Sequence, residues 1–171
     1  MAILCDWQIK ARCEGGMVEG FDETLINPAS LDVRLGGTLL IESAESPELV
    51  PYPLHQHDAT TPYLLRPGQF ALAQTVEVFN LPDDIAAQFM LKSSRAREGL
   101  EHLMAGYADP GFNGSVMTLE LHNSRQLHPI GLWPGMKIGQ MVFHQMSSAP
   151  SRSYAVTGRY NKDANTTASK G

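Results

Sequence analysis

Residues able to do chemistry concentrate between Lys92 and Gln140. Lys92-Ser93-Ser94-Arg95-Ala96-Arg97 follows a predicted strand and opens a short helical segment, Ser93 to Leu100. A helix start favours negative charge, yet three cations stand here and no acid occurs before Glu98. Neither serine has the Glu or Gln three residues on that a capping box requires. The conflict disappears if an anion is held there by hydroxyls, backbone N–H groups and a guanidinium fork; the alternative is a solvated cationic turn. Asp109-Pro110-Gly111 has turn chemistry, and Phe112 either joins the core or packs on a base or sugar. Val116 to Asn123 alternates as a strand, with Met117, Leu119 and Leu121 on one side and Thr118, Glu120 and His122 on the other. On a solvent face Glu120 is unremarkable, but lining a cleft its carboxylate becomes a proton shuttle with a raised pKa. Gln140 and Tyr154 offer hydrogen bonds to a base or phosphate, or simply pack. Read together, these residues describe a site for a phosphorylated small molecule on which acid–base work is done.

The elements that must position them read mostly as strands. Met1 to Glu14 is expected to be a helix, capped by Asp6 and ended by Gly15-Gly16. Leu31-Asp32-Val33-Arg34-Leu35 alternates as a half-buried strand whose Asp32 and Arg34 side faces water or another subunit, and Thr38 to Glu42 follows as the next strand. Residues 43–63, rich in Ser, Glu, Pro and His, read as an irregular surface loop. His55 and His57 lie in it without a third ligand at metal-binding spacing. Strands are then expected at Tyr63 to Leu65, Phe70 to Phe79, Ile85 to Leu91 and Lys137 to Met146, separated by Pro-Gly turns, with Asn113-Gly114 as a hairpin signal. Short strands at regular spacing indicate a sandwich or barrel. After Ser147 the composition turns polar, so residues 1–146 form the expected domain and 147–171 a tail, either disordered or ordered over a ligand.

Bulk properties bound the partners. With 171 residues, 43% of them hydrophobic and 18% charged, the chain has the makeup of one globular domain. A net charge of -5 argues against a general nucleic-acid binder but leaves room for a nucleotide. No apolar run has bilayer length and no leader pattern opens the chain, so a cytoplasmic protein without membrane contact is expected. Two cysteines, Cys5 and Cys13, make neither a disulfide framework nor a Cys-x-x-Cys metal pair.

These motifs together resemble the dCTP deaminase branch of the trimeric dUTPase superfamily, most specifically from Lys92 to Phe143, with Asn27-Pro28-Ala29-Ser30, Asp32 and Arg34-Leu35-Gly36 matching its N-terminal half. The resemblance implies an all-β fold: a distorted antiparallel β-barrel with short helices, assembled as a homotrimer with nucleotide sites between subunits. It implies that Lys92, Ser93, Ser94, Arg95, Ala96 and Arg97 hold a triphosphate, with Ser93 and Arg97 also near the reacting end. Asp109 would meet the deoxyribose, Thr118 and Leu119 the base through backbone groups, and Gln140 and Tyr154 the phosphates. Glu120 would be the catalytic base that takes a proton from water attacking C4 of dCTP. Zinc deaminases carry His-x-Glu and Pro-Cys-x-x-Cys; this chain has neither, so zinc-free deamination is implied, with Mg2+ serving only the triphosphate and dTTP a candidate feedback inhibitor.

Ala105-Gly106-Tyr107-Ala108-Asp109 is similar to the form found in bifunctional deaminase–diphosphatases, which carry dUTP on to dUMP. The chain departs from the pattern in the tail, Arg159-Tyr160-Asn161-Lys162-Asp163. Arg159 keeps a phosphate-side charge, but Asp163 puts a carboxylate where a neutral contact is expected. Two further readings therefore stand beside the deaminase: a dUTP diphosphatase without deaminase activity, and a catalytically silent nucleotide-binding regulator.

Overall fold

The computed structural model describes residues 2–171 and is built mainly from short antiparallel strands. In chain order these are β1 (Ala2–Ile3), β2 (Val18–Glu19), β3 (Ile26–Asn27), β4 (Ser30–Arg34), β5 (Thr38–Ser43), β6 (Ser46–Pro53), β7 (Tyr63–Leu65), β8 (Phe70–Asn80), β9 (Ile85–Leu91), β10 (Leu100–His102), β11 (Tyr107–Ala108), β12 (Asn113–Asn123), β13 (Ile130–Leu132) and β14 (Lys137–Gln145). Three short helices accompany them: α1 (Asp6–Glu14), α2 (Ser93–Arg97) and α3 (Tyr154–Thr157). One six-stranded sheet runs β11-β9-β14-β4-β3 with β1 added on β14. The other runs β10-β12-β8-β5-β6 with β2 added on β8, and β13 pairs with β7 alone.

Both sheets bury apolar side chains in one core that includes Leu31, Leu39, Phe79, Ile85, Leu119, Leu121 and Phe143. The expected barrel is corrected in one respect. Among the described residues the two sheets do not close on each other, and a single bridge, Leu35 to Thr75, links their strands. None of the described helices is long and apolar enough to cross a membrane.

Except for β12, which starts at Asn113 and not at the expected Val116, the expected long strands are present within a residue or so of their predicted ends, because alternation or a continuous apolar run marks a strand that one core covers. Other expectations need correction. The N-terminal helix begins at Asp6, with Cys5 as its cap residue and the Cys5 N–H donating to Gln8 Oε1 at 3.1 Å; Met1, the expected start, lies outside the described residues. Asp6 instead occupies the first turn, where a carboxylate complements the helix dipole. Residues 46–53, expected as loop, form β6, an edge strand on β5. Pro51 and Pro53 are tolerated there because an edge leaves one side of the ladder unbonded. Asn113-Gly114 makes no hairpin: it opens β12 at a register shift against β8, with Gly114 at φ +62°.

Strand β4 is not half-exposed. Asp32 is 2% exposed, and Arg34 forms an ion pair with Glu77, which is 0% exposed. Glu77 accepts from the Arg34 backbone N–H at 2.9 Å and from its Nε at 2.8 Å, so one carboxylate ties β4 to β8 across the two sheets. Removing one partner of a buried pair leaves the other uncompensated. Glu77→Ala should therefore cost about 3 kcal/mol in urea unfolding, the lower end because the Arg34 guanidinium reaches solvent. An unchanged midpoint would contradict this role.

Candidate functional site

Two groups of site residues form on different sheets. The first is a cleft of about 640 Å3 beside β12. Alternation along β12 puts Leu119 in the core at 0% exposure and sends Thr118 and Glu120 to the other face, into the cleft wall. Strand β8 adds Phe70 and Leu72, and β11 with the turn after it adds Ala108, Asp109 and Phe112. Asp109 is exposed, whereas Phe112 is buried at 7% and lies 6.0 Å, centroid to centroid, from the Tyr154 ring. The outer edge of β12 is covered by β10 from Leu121 onward, by Leu103 just after it, whose N–H donates to the Glu120 carbonyl at 3.2 Å, and by the tail where the Val116 N–H donates to the Asp163 carbonyl at 3.0 Å. Thr118 lies between these covered stretches.

The tail closes the far side. Tyr154 N–H donates to the Pro110 carbonyl at 3.0 Å, and Asn161 Nδ2 donates to the Tyr154 carbonyl at 2.6 Å. Gly111, at φ +88°, permits this approach: a Cβ there would collide with Ser153 Oγ. Tyr160, Asp163, Thr167 and Ser169 then line the cleft opposite Glu120. The tail is thus ordered against its own chain. Asp163, expected to repel phosphate, has both carboxylate oxygens 2.8 Å from Lys170 Nζ, and that ammonium also lies 5.1 Å from the Tyr160 ring centre. Its charge is locally offset. Arg159 is exposed on the tail and gives its carbonyl to Lys170 Nζ at 3.2 Å.

Among the described residues the Glu120 carboxylate has one charged or titratable neighbour, His102. Its Oε2 lies 3.1 Å from His102 Nε2, and both atoms are buried without a hydrogen bond, because the pair is close but misaligned. The Glu120 side chain is nonetheless 24% exposed, so part of it faces the cleft away from Oε2.

The second group sits on the sheet containing β9, β14 and β4. Gln140 stands opposite Met90 on one side and Asp32 on the other, and Lys92 follows directly after β9. Three neighbouring strands thereby gather Lys92, Gln140 and Asp32. Lys92 Nζ is 2.6 Å from Asp32 Oδ2, Lys137 Nζ is 3.5 Å from the same oxygen, and Asn27 Nδ2 donates to Oδ1 at 2.8 Å. Ser30 Oγ donates to Gln140 Oε1 at 3.1 Å. On α2, Ser93, Ser94, Ala96 and Arg97 are exposed, while Arg95 pairs with Glu98 at 2.8 Å and lies 6.0 Å from the Trp133 ring.

The chain therefore brings Asp109, Phe112, Thr118, Glu120 and Tyr154 together, and separately Lys92 and Gln140 beside α2. Neither Lys92 to Arg97 nor Gln140 lines the Glu120 cleft. Asp32 and His102 went unassigned at the sequence level. Asp32, expected to face water or another subunit, is buried against Lys92 instead, and no local pattern marks either residue. His57, considered for a metal, instead makes a 2.9 Å contact with Tyr52 Oη and one of 3.0 Å with the Thr61 carbonyl.

Comparison with known proteins gives this geometry a family. The sequence model of a family described as dCTP deaminase-like matches residues 3–146. A Leifsonia xyli protein named dCTP deaminase, dUMP-forming is 43% identical over 98% of this chain and 90% of its own length. A Rhodococcus opacus protein of the same name is 40% identical over 98% of this chain and 95% of its own. The crystal structure of 2'-deoxycytidine 5'-triphosphate deaminase from Agrobacterium tumefaciens shares the fold, with a TM-score of 0.69 at 23% identity over 84% of this chain, which spans 48% of that chain's length. By near full-length identity to these relatives and by its match to the family's sequence model, the chain belongs to the dCTP deaminase-like family.

Proposed function

We propose that this protein deaminates dCTP hydrolytically and carries the product on to dUMP and pyrophosphate, in a site shared between two subunits of a homotrimer. The observation that carries the reading is Glu120, set in the wall of a nucleotide-sized cleft with Asp109, Phe112 and Thr118 and with one oxygen withheld from solvent. Glu120 takes a proton from a water molecule as its oxygen attacks C4 of cytosine. It delivers that proton to N3, then passes the hydroxyl proton of the C4 adduct to the amino group, so that the C4–N bond breaks, ammonia departs and uracil remains. Ser93 and Arg97 position the water, and Lys92 with Gln140 meets the phosphates. Because these four lie away from the cleft of their own chain, a neighbouring subunit supplies them. The open sheets would then complete the family's barrel-like assembly with neighbours packed around them.

The second step rests on Asp109 and on the names of the relatives, which are dUMP-forming. There the Asp109 carboxylate, exposed at the cleft rim, orients the water that attacks phosphorus. Mg2+ would arrive on the phosphates and the deamination run through protein groups, because the chain carries neither the His-x-Glu nor the Pro-Cys-x-x-Cys of the zinc deaminases. Deamination would be zinc-free, in the cytoplasm, with dTTP competing for the same cleft. The ion pair of Asp163 with Lys170 weakens the case for a silent regulator, because the carboxylate that motivated it is offset.

Ammonia release is the direct test. Incubation with dCTP and Mg2+ should release ammonia in step with loss of dCTP. If dUTP is consumed while dCTP persists and no ammonia forms, the protein is a diphosphatase and the proposal fails.

A further inference from the structure

His102 ends β10, and its Cα stands opposite Leu121, next to Glu120. Its side chain is only 6% exposed, and its Nε2 lies 3.1 Å from the buried Oε2 of Glu120. A buried imidazole nitrogen and a buried carboxylate oxygen are unfavourable when unpaired, so their surroundings must hold them there. Those surroundings are specific. The imidazole packs on the Phe89 ring, with centroids 4.7 Å apart. Phe89 fits because of two glycines: a Cβ on Gly106 would meet Phe89 Cβ at 2.8 Å and His102 Cε1 at 3.2 Å, and a Cβ on Gly139 would strike the Phe89 ring edge. The other nearby imidazole, His122, is turned to Glu101, with Nδ1 3.3 Å from Oε2.

We infer that His102 positions Glu120 for proton transfer. The imidazole donates Nε2–H to Glu120 Oε2, which leaves Oε1 to face water and the cytosine ring. A neutral imidazole has one donor nitrogen, so the contact also fixes its tautomer. Catalytic hydrogen bonds that are misaligned in an empty site tighten when substrate enters, and a small rotation suffices at this distance. The inference rests on the deaminase reading of the Glu120 cleft. A recess of about 230 Å3 beside the imidazole, lined by Gln88, Met90, Met104 and Tyr107 as well as His102, gives small molecules access to this position.

The test compares wild type, Glu120→Gln, His102→Ala and His102→Gln by ammonia release from dCTP, with folding checked by circular dichroism. His102→Ala should lose about a hundredfold in kcat, with KM for dCTP changed little. His102→Gln keeps an N–H donor and should retain more of the rate. Added imidazole, entering through the recess, should restore part of the kcat of His102→Ala and saturate. Near wild-type kcat in His102→Ala, a loss carried by KM alone, or equal loss in both variants with no response to imidazole would each overturn the inference. Should His102→Ala fail to fold, His102→Gln decides it: reduced kcat at constant KM supports the inference, and wild-type kcat overturns it. A wild type that releases no ammonia sinks the deaminase reading itself; an active wild type with unaffected His102 variants sinks only this inference.

Discussion

Glu120→Gln should abolish ammonia release from dCTP, lowering kcat by about a thousandfold, while nucleotide binding survives. The substitution keeps the size and hydrogen-bonding reach of the side chain but removes its ability to accept a proton from water. Among the described residues Glu120 has no ion-pair partner other than the misaligned His102, and Leu119 and Leu121, which anchor the strand, are untouched. Calorimetric titration with dCTP should still show saturable binding. A variant that deaminates at the wild-type rate would remove Glu120 from the mechanism, and a loss confined to KM would make it a binding residue.

Two inactive variants should restore activity to each other. Arg97→Ala is expected to be as inactive as Glu120→Gln, because Arg97 is proposed to position the attacking water. Arg97 lies on α2 and outside the cleft of its own chain, so in the proposed assembly each working site takes Glu120 from one subunit and Arg97 from another. When the two variants are co-expressed and assemble at random, about one site in four receives both native residues, so close to a quarter of wild-type activity should return. Activity no greater than the sum of the two variants alone would mean that each chain builds its site by itself.

Strand β12 was legible because its alternation is strict. Met117, Leu119 and Leu121 against Thr118, Glu120 and His122 fixed which side chains could face a ligand, and the structure places Thr118 and Glu120 in the cleft wall. The polar residues under the core were not legible. Asp32 alternates with leucine and valine as a solvent-facing residue does, and it takes the distant Lys92 and Lys137 to reveal it as a buried ion-pair partner. Glu77 was hidden for the same reason, since sequence does not show which distant arginine meets it. Strand β6 escaped because Pro and Glu on an edge strand look like loop. In the tail, composition announced a polar segment, but not that Lys170 would close on Asp163. For the buried carboxylates, pairings across long separations were the missing information.

The central claim is best tested by a quenched time course of the wild-type protein with dCTP and Mg2+, separating nucleotides by ion exchange. The proposal predicts that dUMP and pyrophosphate appear together from the earliest points, with ammonia in equal amount and little free dUTP. Accumulating dUTP would confine the site to deamination. Unchanged dCTP, beside a parallel sample in which dUTP becomes dUMP, would contradict the deaminase assignment outright.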